Sequence, residues 1–104
     1  MNSIIYFLDT ETTGLNASSG HTIIEFCCIK HVDRVEVDQL YLRIIPTVED
    51  LKRADPNALS KNKFNLEEWH RTGITKHAAA KKIAEFVTGS KSSAIVAHNV
   101  GFDM

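Results

Sequence analysis

A basic excess is missing from this sequence. Twelve Lys and Arg stand against 13 Asp and Glu, for a formal net charge of −1. A protein that coats nucleic acid with a broad positive surface is thereby excluded, whereas an enzyme that grips a nucleic-acid end through metal ions is not. Cysteine is scarce, and its two copies, Cys27 and Cys28, are adjacent. Neighbours on a strand point to opposite faces, so this pair suits neither an ordinary disulfide nor a shared metal. Both are expected as reduced core residues of a cytoplasmic chain. Long hydrophobic runs are lacking: nothing approaches the roughly 18 apolar residues that span a membrane. The opening "MNSIIYFLD" has no basic segment and its apolar run stops after five residues, which excludes a signal peptide. Asn16 in "NAS" is therefore a glycosylation acceptor in form only. Repeats, linkers and low-complexity tracts are also missing.

What is present is a small core. Hydrophobic residues make up 43% of 104 residues, enough for one domain. "SIIYFLD" (Ser3 to Asp9) reads as a strand buried on both faces. A hydroxyl- and Gly-rich turn follows, then a second strand from Thr22 to His31. After the short turn "VDR", a third strand alternates apolar and polar residues from Val35 to Ile45. These short connections predict an antiparallel three-strand meander. Pro46 ends it, and an irregular segment follows. Asp55 as N-cap and Pro56 at the first helical position predict a short helix to about Lys61. The clearest helix runs from Thr75 to Gly89, with Ala79, Ile83, Ala84, Phe86 and Val87 on its apolar face. "SAIVAHN" (Ser93 to Asn99) is a fourth strand, reached through that helix and so parallel to its neighbour.

The chemistry gathers at strand ends. Asp9 and Glu11 close the first strand, with no Lys or Arg before Lys30 to pair them. Buried charges need a partner or a metal. A spacing of two puts both acids on one face, and Thr10 on the other. If strands one and four are neighbours, Asp103 joins them, and clustered oxygen ligands without cysteine suit Mg2+ or Mn2+. Ligands of open α/β sheets bind at the carboxyl ends of strands.

"FLDTETTG" resembles the first motif of the DnaQ-like (DEDD) 3′–5′ exonucleases, the family of the DNA polymerase III proofreading subunit and ribonuclease T. "VAHNVGFDM" resembles its second motif, and "HTIIEFCCI" and "DPNALSKNKFN" are similar to the segments between them. The resemblance implies a ribonuclease H-like α/β fold, with the antiparallel meander plus a parallel fourth strand. It implies hydrolysis of phosphodiesters at single-stranded DNA or RNA 3′ ends by two metals about 3.5–4 Å apart. Asp9, Glu11 and Asp103 match catalytic metal ligands. Thr12, Thr13, Gly14 and Leu15 match residues that contact the terminal nucleotide, Leu15 against its base. His98 and Asn99 belong to the second motif, beside the substrate. The family's third motif, a His followed shortly by an Asp, supplies the general base and a fourth carboxylate. It lies downstream of the second motif and has no counterpart in this sequence. Residues 1–104 are thus expected to be the N-terminal part of a single exonuclease domain, incomplete at its C-terminus and close to inactive alone. The alternative is a degenerate binding module that pairs with a partner chain, through the open edge of strand four. A polymerase, or a chain that supplies the third motif, fits the implied partner; a membrane does not.

Other residues carry plainer expectations. Glu25 falls in an apolar strand and needs a hydrogen-bond donor, for which Thr12 or Thr13 serves. His21, His31, His70 and His77 read as surface residues without ligand spacing, and Trp69 as core or cover. Lys52, Arg53, Lys81 and Lys82 read as solvated.

Overall fold

A computed structural model describes residues 3–87 and 93–97. Strand β1 (Ile4–Thr12) pairs antiparallel with β2 (Ile23–Val32), and β2 with β3 (Val35–Arg43). Strand β4 (Ser93–Ala97) pairs parallel with β1, giving the sheet order β3-β2-β1-β4. The predicted meander and parallel fourth strand are both present. Asp33 and Arg34, with φ of 51° and 71°, form the two-residue turn between β2 and β3. Two positive φ values suit the right-handed twist of the flanking strands. The Asp33 amide donates to the Ser3 carbonyl at 2.8 Å, and the Ser3 amide donates to Asp33 Oδ1 at 2.8 Å. The hairpin is thereby tied to the start of β1.

Four helices follow the meander. Helix α1 (Val48–Arg53) begins at a capping box: the Asp50 amide donates to the Thr47 hydroxyl, and the Thr47 amide to the Asp50 carboxylate. Helix α2 (Pro56–Lys61) has the predicted Asp55 cap and Pro at its first position. Helix α3 (Leu66–Thr72) is capped by Asn65. Both α1 and α3 fall in the segment expected to be irregular. Helix α4 (Lys76–Val87) is the predicted long helix, its first turn capped by the Thr75 hydroxyl. The expectation that it reaches Gly89 lies partly outside the described residues.

The core forms where the sheet meets α4. Tyr6, Phe26, Cys28, Leu42 and Ile44 bury their side chains with Ala79, and Ile83 and Phe86 pack against them. Positions 79, 83 and 86 make one stripe of a helix. Trp69 is almost fully buried and anchors α3. Its indole N–H donates to the Ile24 carbonyl at 3.0 Å, and its ring lies 4.9 Å from Phe64. The Arg43 guanidinium stacks 4.3 Å from its centroid. Burying such a side chain contributes about 2–3 kcal/mol.

The opposite face of the sheet differs from expectation. Strand β1 was expected to be buried on both sides, yet Phe7 is exposed, as are Tyr41 and Val96 on the same face. The described helices pack on the Tyr6 side, so the Phe7 side stays open among the described residues. Cys27 and Cys28 are free and split between the two faces, but only Cys28 joins the core; Cys27, expected there too, lies half-buried on the open face because strand neighbours point to opposite sides.

Candidate active site

Strand β1 runs three residues beyond its expected end, so Asp9 and Glu11 lie within it. The reason is visible in the alternation. Thr10 and Thr12 are buried on the core side, and Asp9 and Glu11 are exposed on the open side. The threonines look like turn residues in sequence but behave as core residues here. The ladder with β2 shifts between Glu11 and Thr12, where Glu11 faces Glu25 and Thr12 faces Ile23. The unpaired residue, Ile24, is fully buried, and its carbonyl accepts from both Ile44 N and Trp69 Nε1. Such bulges re-aim side chains near functional sites.

Beyond the strand the chain folds into a loop closed on itself. The Thr12 hydroxyl donates to the Gly14 carbonyl at 2.5 Å. Thr13 is fully buried: its amide donates to Thr22 O at 2.8 Å, and its hydroxyl accepts from Thr22 N at 2.9 Å. Gly14 is packed so closely on His21 that a Cβ there would fall within the imidazole. His21 Nδ1 in turn accepts from the Asn16 amide at 3.1 Å. His21 is therefore a loop-closing residue, not the free surface histidine expected. Leu15 sits at the loop tip with its side chain 87% exposed.

Glu25 also departs from expectation. Its carboxylate accepts from the Tyr41 hydroxyl at 2.5 Å, because Thr12 and Thr13 use their hydroxyls inside the loop. Glu25 stands directly across from Glu11 on the open face, and like charges so placed repel. The Tyr41 hydrogen bond relieves part of that repulsion. Burial and the Glu25 carboxylate push the Tyr41 hydroxyl above its ordinary pKa.

These elements enclose a groove of about 300 Å³. Asp9, Glu11 and Leu15 line one side, and Ala58, Lys61 and Asn62 of α2 and its cap line the other. Two hydrogen bonds fix α2 to the loop. Asn62 Nδ2 donates to the Thr12 carbonyl at 3.0 Å, and the Asp55 amide donates to the Thr13 carbonyl at 2.7 Å. Sequence reasoning placed α2 correctly but missed Lys61 and Asn62 as groove residues. A helix end bearing a cation and an amide was the available signal.

The donor set suits a hard divalent cation. Asp9 and Glu11 present two exposed carboxylates on one face, with no cysteine or histidine in the groove. Among the described residues no cluster of three or more His, Cys, Asp or Glu converges. His98, Asn99 and Asp103 lie outside the described residues. Strand β4 carries the chain toward the same place, since Ala97 pairs with Leu8, next to Asp9. Among the described residues no helix is long and apolar enough to cross a membrane.

Comparison with known proteins agrees with this fold. The fold is similar to that of exonuclease I in a complex with SSB and the inhibitor CFAM. The TM-score is 0.82 and the identity 22%, over 99% of this chain and 23% of that one. E. coli exonuclease I with a 5cy-dA13 oligonucleotide gives 0.82 and 22%, over 97% and 22%. The metal-free form of the E. coli exonuclease I–ssDNA complex gives 0.80 and 23%, over 97% and 22%. The chain thus spans about a quarter of the length of the structures it matches, and these matches establish the ribonuclease H-like fold. No curated protein matches in sequence. The model of the exonuclease family, RNase_T, matches residues 6–104. With all but its first five residues inside that match, the chain belongs to the exonuclease family.

Proposed function

We propose that this chain is the N-terminal part of a metal-dependent 3′–5′ exonuclease domain that acts on single-stranded nucleic-acid ends. The observation that carries this reading is the pair Asp9 and Glu11, side by side on the open face of β1, in a groove capped by Leu15. Asp9 and Glu11, joined by Asp103 of the second motif, would hold Mg2+ or Mn2+. Such ions, when bound, activate water and stabilise the leaving oxygen of a phosphodiester. The protein's own groups do the rest. Leu15 offers an apolar surface to the terminal base. The closed loop of Thr12, Thr13 and Gly14 holds that surface rigidly beside the carboxylates. Asn62 locks the opposite wall. Support for a single-stranded substrate comes from the exonuclease I structures, which hold an oligonucleotide or ssDNA.

On this reading residues 1–104, which carry no His–Asp pair matching the third motif, cut slowly by themselves. Removing a general base alone costs about 10²–10⁴-fold. The test is Mn2+ calorimetry on the chain and on Asp9→Ala, followed by digestion of a 3′-labelled oligonucleotide. Binding lost in Asp9→Ala, with little or no cutting, is expected. No Mn2+ binding at all, or binding unchanged in Asp9→Ala, would refute the assignment of the site. A second reading, a binding module, is favoured by the open face with Phe7, Tyr41 and Val96 exposed. It predicts a stable oligomer or a partner complex, which sedimentation measures directly.

A further inference from the structure

Several described cations of this protein are committed. Arg43 pairs with Glu68 at 2.9 Å, Lys52 with Glu49 at 3.5 Å, and Lys76 with Asp50 at 2.6 Å. Lys61 is different. It lines the groove opposite Asp9 and Glu11, is exposed, and its ammonium has no hydrogen bond or ion pair among the described residues. Its backbone is nevertheless held firmly. The next residue, Asn62, donates from its side chain to the Thr12 carbonyl at 3.0 Å, one residue beyond Glu11. A cation on a fixed base thus shares a groove of about 300 Å³ with two carboxylates.

We propose that Lys61 is a substrate-positioning residue that grips a phosphate of the strand bound in this groove. The inference rests on the nucleic-acid reading above and adds a named contact to it. The chemistry separates the two walls. The carboxylate wall repels phosphates unless a cation intervenes, and Leu15 meets bases. Lys61 supplies the positive charge on the other wall. A flexible ammonium suits this role, because it follows a phosphate as a point charge without demanding one geometry. The bland reading of Lys61 is a solvated residue whose charge complements the carbonyl end of α2. Under that reading, its loss would leave the salt dependence of binding unaltered.

The experiment is fluorescence anisotropy of a 5′-fluorescein oligothymidylate with a free 3′ end, in Ca2+, over a salt series. Wild type, Lys61→Ala, Lys61→Gln, Lys61→Arg and the helix α4 variant Lys81→Ala are compared, with circular dichroism to check folding. We expect Lys61→Ala and Lys61→Gln to bind about tenfold more weakly. Their slope of log K against log salt should fall by about 0.7, the value for one phosphate contact on a single strand. Lys61→Arg should bind within about twofold of wild type, since the charge is kept. Lys81→Ala should match wild type. Unchanged affinity and slope in the two neutral variants would overturn the role of Lys61 while leaving the nucleic-acid reading standing. Equal losses in Lys61→Ala and Lys81→Ala would also overturn it, by showing general charge alone. Absence of binding by wild type would overturn the nucleic-acid reading itself, and this inference with it.

Discussion

Replacing Gly14 with Ala sets two effects against each other, and His21 decides which wins. Gly20, with φ of 84°, is the only described glycine in the left-handed region, so the Gly14 backbone tolerates a side chain. By restricting the unfolded chain, an alanine there should stabilise the protein by about 0.4–1 kcal/mol. The new Cβ, however, would overlap the His21 imidazole, whose ring atoms are its three nearest neighbours. The ring must swing away, and the Asn16 amide then loses its Nδ1 acceptor at 3.1 Å. The lost hydrogen bond costs about 0.5–1.5 kcal/mol. Holding the ring off its preferred rotamer costs about 0.5–1.5 kcal/mol more. Gly14→Ala should therefore destabilise the wild type by about 1 kcal/mol net. In a His21→Ala background neither penalty exists, and the same substitution should be neutral or stabilising. The double-mutant cycle gives a coupling of about 1–3 kcal/mol. Urea unfolding of the four proteins measures it, and thermal melts check it at roughly 4–8 °C per kcal/mol. An equal cost of Gly14→Ala in both backgrounds would refute the packing argument.

Two further outcomes follow from single groups. Burial pushes the Asp50 carboxyl up, but the Lys76 ammonium and the Thr47 amide and hydroxyl outweigh it and hold it below its ordinary 3.8. Its contribution to stability is therefore complete above about pH 4 and is lost as pH falls through the lowered folded value. Urea midpoints from pH 5 to 2 should fall less steeply for Asp50→Asn than for wild type, and parallel curves would show that this carboxylate does not matter. Burial, helped by the neighbouring Cys27, pushes the Cys28 thiol up to about 11. At pH 8, a thiol reagent should label Cys27 readily and Cys28 only after unfolding. Two fast equivalents in the native protein would contradict the buried placement.

Much of the sheet was legible because its signals are local. Apolar runs separated by turn residues gave the meander, and the helix between the meander and β4 gave the parallel strand. Asp55-Pro56 and the 79, 83, 86 stripe marked α2 and α4. Helix α1 was missed because none of its residues is buried, so no apolar periodicity betrays it, and only the Thr47/Asp50 box remained as a signal. Helix α3 was missed because a single residue, Trp69, carries its burial. The acids Asp9 and Glu11 stood out as charges at the end of an apolar run. Partners set by register or loop closure did not stand out. Nothing within the chain near Glu25 announces Tyr41, and nothing near Gly14 announces His21. Lys61 escaped notice because a lysine in the last turn of a helix is ordinary until α2 is seen docked against Thr12.

The shifted register after Glu11 bears on how this chain can change length. In β1 one residue separates chemistry from core, so inserting or deleting a single residue upstream of Asp9 would turn the acids inward and the threonines outward. That segment is locked in phase. Beyond Glu11 the bulge at Ile24 has already broken the pairing rhythm, and the stretch after Asn16 up to Gly20 joins no strand ladder, its hydrogen bonds turning back locally onto Asn16. Natural insertions and deletions should therefore gather in that stretch and avoid the eight residues that open β1.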